Sequence, residues 1–251
     1  MATTTTAVQV LSISLALFAS GGIATLSLFD VPLLQSQPAS RSLPMTRWLF
    51  SRGSHTAPQA AAISSAGFGY LAYSSLPRGA QLTDILSHVL NGGKVSGYLA
   101  AAILAISIAP MTGLMIPTNF ALIKKNEDLG GAPSKQSAKD GYVKPGQRSA
   151  EDSVNARSAK DELTDLSNPQ GRTEKQSSDE EDREVRELLG KFGRLNGVRA
   201  ALIGTGGVVG LVTALTKAAI FNMPLGMHFA TSALSAISTE STIVRVALYT
   251  Q

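Results

Sequence analysis

Residues 7–29 read AVQVLSISLALFASGGIATLSLF and contain no charged side chain. This run decides the class of the fold. An α-helix rises about 1.5 Å per residue, so about 20 apolar residues cross a hydrocarbon core about 30 Å thick. In lipid the backbone N–H and C=O groups find partners only inside a helix or a closed barrel, and an unbroken apolar run of this length reads as a helix. Three further segments meet the same length: residues 57–76, 95–116 and 198–220. The first run lacks a preceding Lys or Arg and exceeds the length of a signal-peptide core, so it reads as a span. The expected architecture is an all-α, four-helix transmembrane bundle. Spans one to three fall in residues 1–123, a long disordered polar connection in 124–178, an interfacial helix and span four in 179–220, and a non-spanning tail in 221–251.

The composition agrees with two populations of residues rather than one. A mean hydropathy of +0.12 averages four apolar segments with a polar stretch over 124–182. The formal charge of +4 in 251 residues does not indicate a nucleic-acid partner. The Lys and Arg residues flank apolar runs or sit among an equal load of Asp and Glu, with no basic patch. The absence of cysteine excludes disulfides, thiolate ligands, iron–sulfur clusters and thiol nucleophiles.

Orientation follows from Lys and Arg counted in short flanks. The first connection carries Arg41, Arg47 and Arg52, and the third carries Lys124, Lys125, Lys191 and Arg194; the second offers only Arg78 and Lys94. Both termini are therefore expected on the lumenal or extracellular side, with the first and third connections cytosolic. The third connection is rich in Ser, Lys, Asp, Gln, Gly and Pro and nearly free of aromatics, too polar to offset its ordering entropy by burial. Order is expected to resume at Ser178-Asp179-Glu180-Glu181, which has the spacing of a capping box. The helix that follows, through Val185, Leu188, Leu189 and Phe192, is expected along the interface.

Few motifs carry chemistry. Residues 204–210, GTGGVVG, lack the third glycine and the preceding strand of a dinucleotide loop. Gly206 and Gly210, like Gly193 and Gly197, have instead the spacing that lets helices approach closely in lipid. His55, His88 and His228 are scattered, and no set of converging ligands predicts a metal site; no cofactor is expected. Pro110 and Pro117 predict a kinked third span ending near Asn119. Asn196 and Arg199 share a helix face at the start of span four, where an unpaired guanidinium is costly. The first connection holds Arg47, Trp48, Arg52 and His55, for which headgroup anchoring is the simplest role. The topology places all of these at the cytosolic end of the bundle, so His55, Asn119, Asn196, Arg199 and the Arg47, Trp48, Arg52 group are expected to converge on one mouth.

Three blocks carry a family resemblance: residues 48–58, WLFSRGSHTAP; residues 110–122, with Pro-Met-Thr, Pro-Thr-Asn and Leu; and residues 185–199, VRELLGKFGRLNGVR. In order and spacing the chain resembles the fungal anthrone oxygenases, the group that includes noranthrone monooxygenase and related small four-span membrane proteins. Phe192 stands where many relatives are expected to carry tryptophan. The resemblance implies oxidation of an anthrone by O2 to the anthraquinone, without metal or flavin, in aromatic polyketide biosynthesis. It implies an endomembrane location such as the endoplasmic reticulum, and association with other enzymes of such a pathway is a further expectation. His55, Arg47, Arg52 and Arg199 become candidate catalytic residues, and Trp48, Asn119 and Asn196 candidate substrate-binding residues. The alternative is a transporter or scaffold on the same fold, because fold alone does not determine chemistry.

Overall fold

A computed structural model of the chain describes residues 2–77, 79, 85–90, 92–141 and 165–216. Every regular element among them is helical. Helix α1 (Ala2–Thr25) passes through a π-helical turn (Leu26–Asp30) into α2 (Val31–Gln35). Helix α3 spans Ala39–Ser74, and the short α4 covers Ile85–Leu90. Helices α5 (Lys94–Ile106) and α6 (Ile108–Asp128) form one span broken at Ser107. A one-turn helix α7 (Lys135–Lys139) precedes α8 (Asp179–Leu215).

The long helices close a ring in which α1 neighbours α3 and α8, and α5 neighbours the same two. Three stretches are long and apolar enough to cross a membrane: Thr3–Gln35, Lys94–Asp128 and Asp179–Leu215. Val10, Phe18, Leu28, Ile103, Leu114 and Leu215 stand exposed on their outer surfaces, as lipid-facing residues do. Helix α3 has the length but less apolarity, because Ser, Gly and Tyr interrupt its second half. Those small residues pack inward: Ser65 Oγ donates to the Ala102 carbonyl at 3.0 Å, and a Cβ on Gly67 would collide with Ser12. Such contacts between helices replace the apolarity a lone span needs.

Two apolar layers fill the ring. One gathers Ile13, Ala16, Phe68, Leu71, Tyr98, Ala105 and Ile203. The other gathers Leu34, Leu43, Met115, Leu122, Val185, Leu189 and Phe192. Gly206 and Gly210 make the first layer possible: a Cβ on Gly206 would lie 3.0 Å from the Ala101 carbonyl oxygen, and one on Gly210 would enter the Phe68 ring. Gly193 approaches Val31 in the same way, whereas Gly197 meets nothing within 4 Å, so the second pair does not share the close-packing role expected of it.

Two expectations require correction. The stretch before span two is helical rather than a loop, so Arg47, Trp48 and Arg52 sit on α3 itself. Pro44 deprives the Ser40 carbonyl of its usual donor one turn later, and the polar connection restores it: the Thr173 N–H and Oγ1 donate to Ser40 O at 2.8 and 3.2 Å. The disorder expected across 124–178 accordingly does not extend to 124–141 and 165–178. Those flanks are held by main-chain bonds, Lys175 N to Leu129 O at 3.0 Å and Lys135 N to Asn168 O at 2.8 Å, and by a few buried side chains, Leu129, Ser134 and Thr173 among them. The middle of that connection and residues 217–251, including the tail and His228, lie outside the described residues.

The capping box is present, with the Ser178 hydroxyl accepting from Glu181 N and the Glu181 carboxylate accepting from Ser178 N at 2.7 Å. No separate interfacial helix follows it. Val185, Leu189 and Phe192 bury into the second layer as the first half of one continuous α8.

Candidate active site

Helices α3 and α8 run parallel across the bundle, and two contacts set their register. The Ala39 N–H donates to Asp182 Oδ1 at 2.6 Å. Eleven residues further along α3, Phe50 meets Phe192 edge to face, with centroids 5.0 Å apart at 63°. This aromatic contact gives the position where relatives were expected to carry tryptophan a stacking partner. Five residues beyond Phe50 the α3 backbone reaches His55, level with Gly197 between Asn196 and Arg199. The His55 side chain lies outside the described residues.

Asn196 and Arg199 meet as their spacing predicts. The Arg199 guanidinium donates to Asn196 Oδ1 at 3.0 Å and approaches Met115 Sδ at 3.7 Å, while the Asn196 amide donates to the Phe192 carbonyl at 3.2 Å. The asparagine therefore presents its oxygen to the arginine because its nitrogen is held by the helix. Asn196 is 1% exposed. Arg199 Nε is buried without a hydrogen-bond partner, and so are Thr118 Oγ1 and Asn119 Oδ1, which lie about one turn along α6 from Met115. Among the described residues no carboxylate pairs with Arg199. Along α8 this level falls between Phe192 of one apolar layer and Ile203 of the other, so a half-buried cation with a fully buried, unpartnered Nε sits between two apolar layers.

The remaining candidates do not converge there. Arg47 is 2% exposed but lies three residues before Phe50, so its Cα is about 15 Å along the bundle axis from that of Arg199 by helical rise. Trp48 and Arg52 face the polar connection. The indole N–H of Trp48 donates to Ser167 O at 3.0 Å, Arg52 donates to the Asp165 carbonyl, and the Arg52 guanidinium stacks over the indole at 5.3 Å. Burial raises the Asp165 carboxyl, but donors from Ser134 and Ser167 and the charge of Arg52 outweigh that and hold it below the usual carboxylate range. The expected single mouth is thus an inner level at Asn196 and Arg199 and an outer face at Trp48 and Arg52.

The outer face borders a groove of about 900 Å³ lined by Asp30, Arg41, Met45, Trp48, Leu49 and Arg172, among others. The sequence signal for it was faint. Asp30 ends an apolar span, and Arg172 belongs to a stretch whose composition predicts disorder. Among the described residues no three His, Asp or Glu side chains cluster as metal ligands.

A family model described as anthrone oxygenase matches residues 47–209. The chain belongs to the anthrone oxygenase family. The match begins at Arg47 and contains the Trp48 and Arg52 pair, the Asn119 turn and the Asn196 and Arg199 pair. The chain is also 29% identical to anthrone oxygenase encC of Aspergillus fumigatus over 215 residues, covering 83% of this chain and 92% of the relative. No solved structure matches the chain.

Proposed function

We propose that the chain oxidises an anthrone to the anthraquinone with O2, and that the inner level around Arg199 carries the reaction. The observation that carries the reading is a half-buried guanidinium whose Nε is fully buried without a hydrogen-bond partner, with no carboxylate pairing among the described residues and with orphaned polar atoms of Thr118 and Asn119 about one turn along α6 from its Met115 contact. A cation held in a dry interior stabilises an anion formed beside it far more than the same cation does in water. An anthrone supplies such an anion. Loss of a proton from its central methylene gives an anthrolate whose charge rests on the carbonyl oxygen, the atom a planar guanidinium binds best.

In this reading His55 takes the methylene proton, and its backbone is level with the Asn196 to Arg199 turn. The neutral imidazole is available near neutral pH because its ordinary pKa is about 6.5. The electron-rich anthrolate passes one electron to O2, the two radicals combine to a carbon-bound peroxide anion, and the proton held by His55 returns to it to give the hydroperoxide. Loss of water from the hydroperoxide leaves the second quinone carbonyl. The methylene and O2 become a carbonyl and H2O, so the equation balances without another reductant or a resident cofactor. Asn196 orients Arg199, and Asn119 and Thr118 offer polar contacts to the far edge of the ligand. Arg47 and Arg52 act at a distance, through the shape of α3 and the closure of the outer face. An endomembrane location such as the endoplasmic reticulum and association with other enzymes of aromatic polyketide assembly complete the reading.

The test is expression in microsomes, with quinone formation followed under O2 in the presence of chelator and without added flavin or nicotinamide. Conversion above that of vector microsomes is expected. No conversion from a correctly inserted protein would remove the catalytic reading and leave a transporter or scaffold.

A further inference from the structure

The groove between the end of the first span, the start of α3 and residues 169–172 shares no residue with the Asn196 and Arg199 pair. Its volume of about 900 Å³ falls in the range of about 300–1,000 Å³ usual for small-molecule sites. Met45 and Leu49 give it an apolar floor and pack on the apolar layer that also holds Met115 and Phe192. Trp48 lines it with an indole whose orientation the protein sets, through the Ser167 carbonyl on its N–H and Arg52 on its face. Arg41 and Arg172 stand at its rim, and among the described residues neither guanidinium has an ion-pair partner. Asp30, also without a cation partner there, supplies an acceptor on the same rim.

We propose that this groove is an outer binding station for a planar, hydroxylated aromatic that carries an anionic group. The floor and the fixed indole match a flat ring system, the two arginines match a carboxylate or phenolate, and Asp30 matches a phenolic O–H donor. A phosphate headgroup would satisfy the arginines but would leave the apolar floor and the fixed indole without a planar partner. The identity of the ligand as this enzyme's substrate rests on the anthrone reading above; the binding itself does not.

Trp48 is the only tryptophan in the chain, so intrinsic fluorescence reports from the groove wall. The full chain in phosphatidylcholine nanodiscs is titrated with a dihydroxyanthraquinone carboxylate and, separately, with the same ring system lacking the carboxylate. Saturable quenching by the carboxylate is expected, with weaker binding of the uncharged ring. The paired change Arg41→Gln and Arg172→Gln should weaken the carboxylate by about tenfold or more, the size of one or two charge-assisted hydrogen bonds, and leave the uncharged ring unchanged. In turnover the pair should raise KM and preserve kcat. Arg199→Gln should leave the quenching titration unchanged while abolishing turnover, which separates this station from the inner level. Binding by wild type without any turnover would sink the anthrone reading and keep the groove. Equal affinity for both probes, no effect of the paired change, or displacement of the probe by phosphatidylglycerol discs would overturn the proposal; the last outcome would assign the groove to lipid.

Discussion

Arg199 concentrates the residue-scale argument, because its guanidinium is half-buried, its Nε is buried without a partner, and its partners are neutral. Arg199→Lys keeps the charge but loses the planar fork that serves Asn196 and an incoming oxyanion together. A fall of about a hundredfold in kcat is expected, the lower end of what loss of one preorganised donor costs. Quinone formation at matched protein level checks this, and wild-type turnover would return Arg199 to a headgroup role. His55 is tested differently, since a base shows in the pH profile. His55→Ala should slow quinone formation and flatten its rise across the imidazole titration. An alanine variant with the wild-type rate and profile would leave proton removal to water beside Arg199.

At the scale of elements, the glycines of α8 divide by what stands opposite them. Gly210→Ala drives a methyl into the buried Phe68 ring, an overpacking expected to cost about 1–3 kcal/mol. Gly197→Ala meets nothing within 4 Å and should be neutral or stabilising by up to about 1 kcal/mol, the helix propensity difference. Thermal unfolding of the two variants in detergent distinguishes them, and equal melting would refute the packing assigned to Gly210. The polar connection makes a pH prediction. Asp165 is held below the usual carboxylate range in the folded chain, so its stabilising contribution is present above the ordinary carboxylate pKa. It is lost as pH falls through the lowered value. Protease cleavage near 165–172 should therefore rise in strong acid, and Asp165→Asn should show the same sensitivity at neutral pH. Indifference of both to cleavage would mean that the connection is held by its main-chain bonds alone.

The whole molecule is longer than a bilayer is thick. Thr3–Gln35, Lys94–Asp128 and Asp179–Leu215, like α3, run about 50–55 Å at helical rise, against a hydrocarbon core of about 30 Å. The apolar layer containing Val185 and Leu189, together with the clasp from Thr173 to Ser40, extends toward the end rich in Lys and Arg. That end is expected in the cytosol. The chain has no cysteine, so single substitutions report topology cleanly. In sealed microsomes Lys139→Cys should react with an impermeant maleimide, and Ser74→Cys should react only after permeabilisation. The reverse pattern would invert the orientation.

The sequence by itself determined the helical membrane class, the capping box at Ser178, the pairing of Asn196 with Arg199, and the family blocks. Each depends on periodicity or on neighbours within about one helical turn, which a linear reading contains. The register of α3 against α8 came only from tertiary structure, because it is set by Phe50 on Phe192 and Ala39 on Asp182, contacts between residues more than a hundred positions apart. That register separates Arg47 from Arg199 and turns one expected mouth into two levels. Tertiary structure also decided the order of residues 165–178. Their composition is that of a disordered chain, yet helix ends with unfilled carbonyls, Ser40 beneath Pro44 above all, supply hydrogen-bond partners that no count of apolar residues anticipates.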